Sequence, residues 1–335
     1  MKTIHWGIAA TGWICHRFAS CMPYAEGSVM SAVASRSLDK AKAFASEFGI
    51  PKAYGSYAEM AEDHEIDAVY IGTPHTCHKE NAIFFLERGI PVLCEKPSAV
   101  NQHEMQEIID CARKNNTFFM EAMWTRYFPA IIQAEEWIKA GRIGEVKAMY
   151  GAFGDCNVSH DIWRFKADMA GGALLDVGIY PLSMCCRLFG TEPSEIVTSA
   201  DVRNGIDEVS FYTLKYPDGK IASLAGALTV KLDNKIVISG TEGMLTIGRK
   251  SDWWRAADAD IQYIEKNAFT GKSEQFDQPY SGLGYHYEIN AVRDCLLAGK
   301  KEADRMTWDD SVKIAGIMEG LRKVWGVRYP ADQWN

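Results

Sequence analysis

The sequence predicts an α/β protein with two domains, an N-terminal doubly wound parallel sheet and a C-terminal α+β domain. Its 335 residues exceed the usual size of a single hydrophobic core. Strand-length apolar runs alternate with helical patterns up to residue 122, and several strands follow one another from residue 195. We expect the domains to span 1–122 and 123–335, with a C-terminal helix able to pack back on the first domain.

The composition excludes several classes of protein. A net charge of -8 leaves no basic surface for nucleic acid. No apolar run of about 18 residues occurs and the chain start lacks an apolar signal core, so we expect a cytoplasmic protein without a membrane span. Nine cysteines without a C-x-x-C pair indicate reduced thiols. We expect no metal, although His75, Cys77 and His78 lie close together in the sequence.

The first strand, Ile4 to Ala10, runs into a turn and a helical pattern. In dinucleotide-binding folds this opening lets the backbone approach a pyrophosphate. The glycine fingerprint is eroded, since one alignment keeps only Gly12 and another keeps only Gly7 and Gly12. The alternative is an ordinary turn between a strand and a helix. We expect cofactor contacts from the residues of this turn, Ala10, Thr11, Gly12, Trp13 and Ile14.

The second apolar run, residues 29–34, ends in Ser35, Arg36 and Ser37. A fold that prefers NAD commonly carries an acid here to hold the ribose 2′-hydroxyl, whereas an arginine accommodates a 2′-phosphate. These three residues therefore predict NADP as the cofactor, with NAD less favoured. The serines also suit a simpler role as caps of the following helix, 38–48, and the two roles are compatible.

The next predicted strand, 66–71, contributes polar residues to the same edge of the sheet. Thr73 and Pro74 follow it, and His75 and His78 lie in the first turn of the next helix. We expect all four residues to contact the cofactor. A histidine in a first helical turn has an alternative role as a capping or packing group.

The strand 91–94 ends in a carboxylate, an ammonium and a proline, namely Glu95, Lys96 and Pro97. Pro97 cannot continue a central strand, because it donates no ladder hydrogen bond. Ligands of open α/β sheets bind at the carboxyl ends of the strands. We therefore expect Lys96 beside the reacting carbon of a nicotinamide reaction, with Glu95 near the cofactor; the alternative is a loop ion pair.

The chain crosses between the domains just after the strand 117–121, at Trp124 and Arg126. We expect Trp124 to line the cofactor or substrate site and Arg126 to pair with a cofactor phosphate or a substrate oxygen. The alternatives are a buried aromatic hinge and an arginine that ties the domains together.

For the pair Trp253-Trp254 we expect an exposed loop or packing at a dimer face. Beyond the crossing we expect helices at 128–140, 172–190, 285–298 and 307–324, and strands at 144–153, 195–202, 207–216, 220–230, 235–239 and 243–248.

In combination, several motifs resemble the glucose-fructose oxidoreductase/inositol dehydrogenase (Gfo/Idh/MocA) family. They are Gly7 to Gly12, Thr73-Pro74 with His78, Glu95-Lys96-Pro97, and Gly171 to Pro181. Residues 121–127 and 174–181 look most like the branch of dimeric dihydrodiol dehydrogenases and NADP-dependent D-xylose 1-dehydrogenases. The resemblance implies an N-terminal Rossmann domain and a C-terminal domain whose open, mostly antiparallel sheet forms a substrate wall and a homodimer face.

The resemblance also implies a reaction, hydride transfer between the nicotinamide and a hydroxyl or carbonyl of an aldose or a vicinal diol. Many members carry a histidine four residues after the motif aspartate, whereas this chain has Tyr180 after Asp176. We expect Tyr180 to transfer the proton, with Lys96 as its electrostatic partner and as a ligand of the substrate hydroxyl. Asp176 is expected to bind a substrate hydroxyl or to orient this pair, although Pro181 biases Tyr180 away from helical angles.

The expected substrate site contains Lys96, Trp124, Arg164, Asp176 and Tyr180, where Arg164 comes from a segment that resembles a pocket edge of the family. Two alternatives stay open. One keeps the fold and assigns an inositol or another polyol as substrate with NAD as cofactor. The other is a non-catalytic sensor that binds NADP, which has no need for Lys96, Asp176 and Tyr180 together.

Overall fold

The computed structural model describes residues 2–156, 162–266 and 268–334. The chain divides into two compact units, residues 1–124 with 281–315 and residues 125–280 with 316–335. The segment Ser281–Ala315 thus belongs to the first unit, which corrects the expected range 123–335 of the second domain and agrees with a C-terminal helix that packs back on the first. Two hydrogen bonds fasten it there: Phe119 N–H donates to the Lys301 carbonyl at 3.1 Å, and Trp308 Nε1–H donates to the Phe119 carbonyl at 3.0 Å.

The first unit is built on a parallel sheet of six strands in the order β3-β2-β1-β4-β5-β6. This is the doubly wound arrangement that the alternating pattern predicted. Its strands are β1 (Ile4–Ala9), β2 (Ser28–Ala34), β3 (Lys52–Tyr54), β4 (Ala68–Ile71), β5 (Val92–Glu95) and β6 (Phe119–Ala122). Its helices are α1 (Trp13–Cys21), α2 (Leu38–Phe48), α3 (Tyr57–Ala61), α4 (His78–Leu86), α5 (Gln102–Lys114), α8 (His286–Leu297) and the first part of α9 (Trp308–Trp325).

Local chemistry explains where these elements begin and end. The strands β4, β5 and β6 are buried at every residue, as expected for a sheet covered on both faces. Three helices begin at a side-chain cap, in which Ser37, Ser56 and Asn101 accept from a backbone N–H. Helix α2 ends at Gly49 in the left-handed conformation.

The second unit is built on a sheet of eight strands in the order β14-β13-β12-β11-β7-β10-β9-β8, in which only β7 and β10 pair in parallel. Its strands are β7 (Val146–Gly154), β8 (Glu195–Arg203), β9 (Ile206–Lys215), β10 (Ile221–Ala227), β11 (Ile236–Gly240), β12 (Gly243–Ile247), β13 (Asp258–Glu265) and β14 (Ala268–Asp277). Two helices, α6 (Pro129–Lys139) and α7 (Ile179–Phe189), complete this unit with the end of α9.

The predicted helix 172–190 has an irregular start. A π-helical turn, Leu174–Gly178, runs directly into α7. The stretch Ala167–Phe189 is long and apolar enough to pass as a membrane span, which corrects our expectation that no such run exists. Because 94% of its apolar window is buried inside the fold, it is a core helix.

Candidate active site

The turn between β1 and α1 fits the pyrophosphate of a dinucleotide. Ala10 adopts a positive φ of 106°, and Gly12 stands at the N-cap of α1 without a side-chain cap. No side chain caps the first N–H groups of the helix, which are therefore suited to bind an anion. A Cβ placed on Gly12 would meet nothing closer than the Gly72 carbonyl at 4.0 Å, so the protein alone does not require glycine here.

The other predicted residues of this turn lie around the same helix start. Trp13 is 64% exposed and lies over the guanidinium of Arg17, with 4.6 Å from its carbon to the ring centroid. Thr11 and Ile14 are half-buried. The close contact between α1 and the sheet is made at Gly72, where a Cβ would lie 2.5 Å from Cys15 Sγ. Sequence reasoning did not identify Gly72 as the glycine of close packing.

The end of β2 combines a helix cap with an exposed cation. Ser37 Oγ accepts from the Lys40 N–H at 3.5 Å, and Ser35 Oγ accepts from the Ser37 N–H at 3.4 Å. The capping role of Ser37 is therefore present. Arg36 is exposed and forms no ion pair with any residue in the described part of the chain, so its guanidinium can meet a ligand phosphate.

His78 connects two neighbouring strand ends. Its side chain is fully buried, with Nε2 2.7 Å from the Thr73 carbonyl and Nδ1 2.8 Å from the Pro97 carbonyl. Burial lowers the pKa of His78, while the two carbonyl groups favour the protonated ring. Both nitrogens are used within the protein, which corrects the expectation of a direct cofactor contact by His78. His75 is also buried, whereas Pro74 is exposed at the edge of the sheet.

The end of β5 holds Glu95 inside the protein. Its carboxylate accepts from the Tyr70 hydroxyl at 2.6 Å and from the Lys96 N–H at 3.2 Å. Burial raises the pKa of Tyr70 well above its ordinary value, so Tyr70 stays a hydroxyl donor. Glu95 is only 6% exposed and supports the strand end through these bonds, while its expected place near the cofactor stays a prediction. Lys96 is half-buried directly after it.

Trp124 and Arg126, the two residues expected at the domain crossing, are both buried and contact other residues of their own units. Trp124 is 3% exposed and stacks on Tyr285, with ring centroids 4.3 Å apart and planes at 11°. Arg126 is fully buried, and it donates through Nε to Ser183 Oγ at 2.8 Å and through Nη2 to the Ser183 carbonyl at 2.7 Å. No guanidinium surface is left for a phosphate, which corrects the expected cofactor role of Arg126. Trp124 likewise packs as the buried aromatic alternative described.

Asp176 lies in the π-helical turn and pairs with Arg164, whose Nε is 2.9 Å from Asp176 Oδ2. Tyr180 follows in the first turn of α7, and Pro181 continues the same helix. The expectation that Pro181 draws Tyr180 out of helical geometry is thus wrong. The reason is that proline is tolerated in a first helical turn, and π-helical turns such as the one that precedes it often mark functional sites. Asp176 and Tyr180 are both nearly buried, at 4% and 7% exposure.

An aromatic group that sequence reasoning missed lies against Tyr180. Phe153 at the end of β7 is 5.6 Å from Tyr180 between ring centroids, and Trp254 stacks on Phe153 at 4.9 Å with planes at 8°. The exposed-loop alternative for Trp254 is therefore wrong, because its ring is half-buried on Phe153, and packing at a dimer face stays a prediction. The strand that we expected at 144–153 gave Phe153 no part in the site, and no local pattern links it to Trp254.

The second unit thus combines a phenol, an ion-paired carboxylate and flat aromatic rings. This set can exchange a proton with a hydroxyl and pack against a ring. Lys96 lies in the first unit and Tyr180 in the second, so the expected pairing of these two side chains stays a prediction. Among the residues that the structure describes, no three His, Cys, Asp or Glu side chains converge as metal ligands.

Comparison with known proteins agrees with this chemistry. The oxidoreductase family with an NAD-binding Rossmann fold matches residues 4–123, and the GFO/IDH/MocA C-terminal domain matches residues 131–246. The chain is 35% identical to the trans-1,2-dihydrobenzene-1,2-diol dehydrogenase of Bos taurus, over 98% of this chain and 99% of the relative. The Homo sapiens protein of that name is 36% identical, over 98% of this chain and 99% of the relative.

Solved structures share the fold. A 3-ketoreductase from Actinomadura kijaniata in complex with NADP aligns with a TM-score of 0.83 and 24% identity, over 96% of this chain and 98% of the other. A levoglucosan dehydrogenase in complex with NADH aligns with a TM-score of 0.85 and 20% identity, over 98% of this chain and all of the other. With both domains of the family matched along one chain, this protein belongs to the Gfo/Idh/MocA family and is an NAD(P)-dependent oxidoreductase.

Proposed function

We propose that the protein is an NADP-dependent dehydrogenase that oxidises a ring hydroxyl, either of a cyclic vicinal diol or of an aldose in its cyclic form. The observation that carries this proposal is the aromatic group of Phe153 and Trp254 against Tyr180, in the unit that also holds the ion pair of Arg164 and Asp176. The rings of Phe153 and Trp254 are almost parallel, and Tyr180 is next to Phe153. A flat ring packs well on such a surface, while its hydroxyl groups are held by a few polar side chains.

The names of the relatives support the same substrate class. The proteins of Bos taurus and Homo sapiens are dehydrogenases of a trans-diol on a six-membered ring. Both cover the chain almost from end to end, so the aromatic and polar residues described above fall within the matched region. An aldose is the second member of the class, since its cyclic form presents a comparable ring of hydroxyl groups.

The chain's own residues supply proton transfer and orientation. A bound nicotinamide supplies the hydride acceptor in the oxidation and the donor in the reverse reaction. We assign the hydroxyl proton of the substrate to the phenolic oxygen of Tyr180, because a positioned base has to remove it. Asp176, oriented by Arg164 at 2.9 Å, accepts a hydrogen bond from a neighbouring substrate hydroxyl. Lys96 contributes its ammonium as a ligand of the reacting oxygen.

Arg36 supports NADP over NAD. It is exposed at the end of β2, a position where NAD-preferring folds commonly carry an acid. The Arg36→Gln variant should lose roughly ten- to a hundredfold in NADPH affinity, since it removes charged hydrogen bonds, and should leave NADH affinity unchanged. Arg88→Gln is the matched control, because Arg88 is an exposed arginine of the same unit. Equal loss for both cofactors would contradict the NADP assignment.

We further propose a cytosolic homodimer. All nine cysteines are free thiols, which supports a reducing compartment. One face of the eight-stranded sheet carries exposed apolar side chains, and Val197, Phe211 and Ile221 are 63%, 49% and 44% exposed. Strand register places these three on the same face. Phe211→Glu should shift sedimentation from dimer to monomer, while Val324→Glu on α9 should not; a monomeric wild-type protein would refute the dimer.

The central test is nicotinamide reduction by the purified protein with NADP and NAD side by side. The substrates are a trans-dihydrodiol, several aldoses and inositols. We expect turnover of the diol or an aldose with NADP, and a loss of roughly a hundredfold or more in Tyr180→Phe, the usual range for a lost acid-base group. Tyr216→Phe, another nearly buried tyrosine of the second unit, should keep its activity. Full activity of Tyr180→Phe would refute its role, and cofactor binding without turnover would favour the sensor.

A further inference from the structure

A pair of glycines stands directly before the segment that carries Asp176 and Tyr180. Gly172 has a φ of +115°, which favours glycine, and a Cβ on Gly171 would lie 2.3 Å from the Arg164 carbonyl oxygen. The Gly172 N–H donates to that same carbonyl at 2.8 Å. The Gly171-Gly172 turn therefore fastens the backbone of Arg164 to the start of the segment in which its ion-pair partner, Asp176, lies.

Two side chains from distant parts of the second unit hold this turn. Asp207 at the start of β9 is fully buried, and its Oδ2 accepts from the Leu174 N–H at 2.8 Å. Its other oxygen would be 2.5 Å from a Cβ on Gly172, so the carboxylate and the turn are in close contact. The hydroxyl of Tyr329, near the C-terminus, donates to the Gly171 carbonyl.

Tyr329 is itself held by a cluster of charges. Its N–H donates to Asp332 Oδ2 at 2.8 Å, and Asp332 forms an ion pair with Arg322 in which both side chains are fully buried. The Arg322 guanidinium carbon lies 4.5 Å from the centre of the Tyr329 ring. We call Arg322, Tyr329 and Asp332 the C-terminal clamp.

Burial of this many polar groups is a poor way to gain stability. Replacing a buried ion pair by apolar residues of similar volume is often neutral or stabilising. Hydrogen bonds instead fix position and direction, which apolar packing does less strictly. The clamp and Asp207 direct their hydrogen bonds to two backbone groups of one turn, the Gly171 carbonyl and the Leu174 N–H.

We propose that Tyr329 and Asp207 are positioning residues of the reaction, which hold the Gly171-Gly172 turn so that Asp176 and Tyr180 keep the placement needed for proton transfer. This inference rests on the proposed function of Tyr180. Asp176 follows Leu174 by two residues, and its N–H donates to the Gly172 carbonyl at 3.3 Å. A displacement of the turn is thus passed to Asp176 directly and to Tyr180 through the π-helical turn that runs into α7, and a misplacement of about 1 Å can cost a hundredfold in rate.

Tyr329→Phe tests this with the loss of one hydroxyl, since the ring stays available to Arg322. The matched control is Tyr216→Phe, which removes a tyrosine hydroxyl that donates to the Gly190 carbonyl at 2.9 Å, at the opposite end of α7. We expect similar falls in melting temperature for the two variants. The kcat of Tyr329→Phe should fall roughly tenfold or more with KM for NADP unchanged, whereas Tyr216→Phe should keep the wild-type kcat. Asp207→Asn, which keeps an acceptor for Leu174, should keep most of the kcat that Asp207→Ala loses.

Hydrogen exchange followed by mass spectrometry gives a readout that needs no activity. Peptides covering 171–180 should exchange faster in Tyr329→Phe than in the wild type, and at the wild-type rate in Tyr216→Phe. Unchanged kcat together with unchanged exchange in Tyr329→Phe would overturn the proposal. If the wild type shows no turnover, or Tyr180→Phe keeps it, the proposed function fails, and the exchange rates alone then support or refute the clamp.

Discussion

Arg164 and Asp176 form an asymmetric ion pair, in which the carboxylate side chain is 5% exposed and the guanidinium side chain is 25% exposed. The Arg164 guanidinium is therefore partly solvated by water, whereas the Asp176 carboxylate depends on Arg164 for its stabilisation. Since the two residues lie on either side of the Gly171-Gly172 turn, their pairing ties the short helical turn Trp163–Phe165 to the π-helical turn. The interaction between the two side chains can therefore be measured as a coupling free energy in a double-mutant cycle.

Arg164→Gln should destabilise the protein by roughly 3 kcal/mol, because it leaves a buried carboxylate without its cation. Adding Asp176→Asn should recover part of that loss, with a coupling of about 0.5–3 kcal/mol in a double-mutant cycle. Urea unfolding of the four proteins measures it. The exposed pair of Arg203 and Asp201 serves as control, since Arg203→Gln should hardly change the midpoint. Strictly additive effects of the two substitutions would disprove the coupling.

Gly12→Ala should separate cofactor binding from folding. A Cβ at Gly12 has free space in the protein, so the melting temperature without cofactor should stay unchanged. If a pyrophosphate approaches this turn, the added methyl group should weaken NADPH binding roughly tenfold, as followed by the fluorescence of the bound cofactor. Gly72→Ala should do the reverse and lower stability, because its Cβ would lie 2.5 Å from Cys15 Sγ. Unchanged NADPH affinity in Gly12→Ala would place the pyrophosphate elsewhere.

Asp207 should make stability depend on pH. Burial raises its pKa from 3.8 to about 7. Between these two pH values the carboxyl group is protonated in the folded state and ionised in the unfolded state. Leu174, Ser210, Tyr212, Tyr329 and Arg322 surround the carboxyl group. The contribution of Asp207 is therefore fully present below its ordinary pKa of 3.8 and is lost progressively as the pH rises from there to about 7, by on the order of 4 kcal/mol in all. Asp207→Asn should flatten this part of the urea stability curve, and an unchanged slope would refute the assignment.

Glu288 in α8 should also make the protein less stable as the pH rises, at a higher pH than Asp207 does. It is fully buried, neither of its carboxyl oxygens has a hydrogen-bond partner in the described chain, and burial together with Glu95 raises its pKa well above the ordinary value. Glu288→Gln should thus be more stable than the wild type at alkaline pH and gain less in acid. Glu62→Gln, an exposed glutamate of the same unit, should show no such trend. Melting temperatures across the pH range decide it, and a gain that is equal at every pH would argue against ionisation of Glu288.

The fold was readable from the sequence wherever apolar spacing is regular. The alternation of strands and helices predicted the parallel sheet, and Ser37 marked the start of α2 as its hydroxyl geometry requires. Strand β14 gave no such signal, because nearly all of its residues are exposed and no apolar alternation arises. The three-residue strand β3 is too short to carry a pattern.

The site was readable only where chemistry follows a strand end or a motif. Gly12, Arg36 and Lys96 stand at strand ends, and such positions predict a ligand edge. Glu95, His78 and Arg126 resemble ligand groups in sequence, yet each is buried and bonded to its own unit. Trp254 and Tyr329 were missed, since each acts through a tertiary contact far along the chain.

The fastening of Lys301 and Trp308 to Phe119 has a consequence for synthesis on the ribosome. Strand β6 is the last in its sheet, so its backbone groups form an open edge until residues 301–308 have been translated. Open edges pair readily with other chains. During synthesis, the first unit therefore keeps an aggregation-prone edge strand until all the strands of the second unit have been translated. In a chain that stops at residue 124, residues 301–308 never cover this edge. We therefore expect the truncated chain to aggregate.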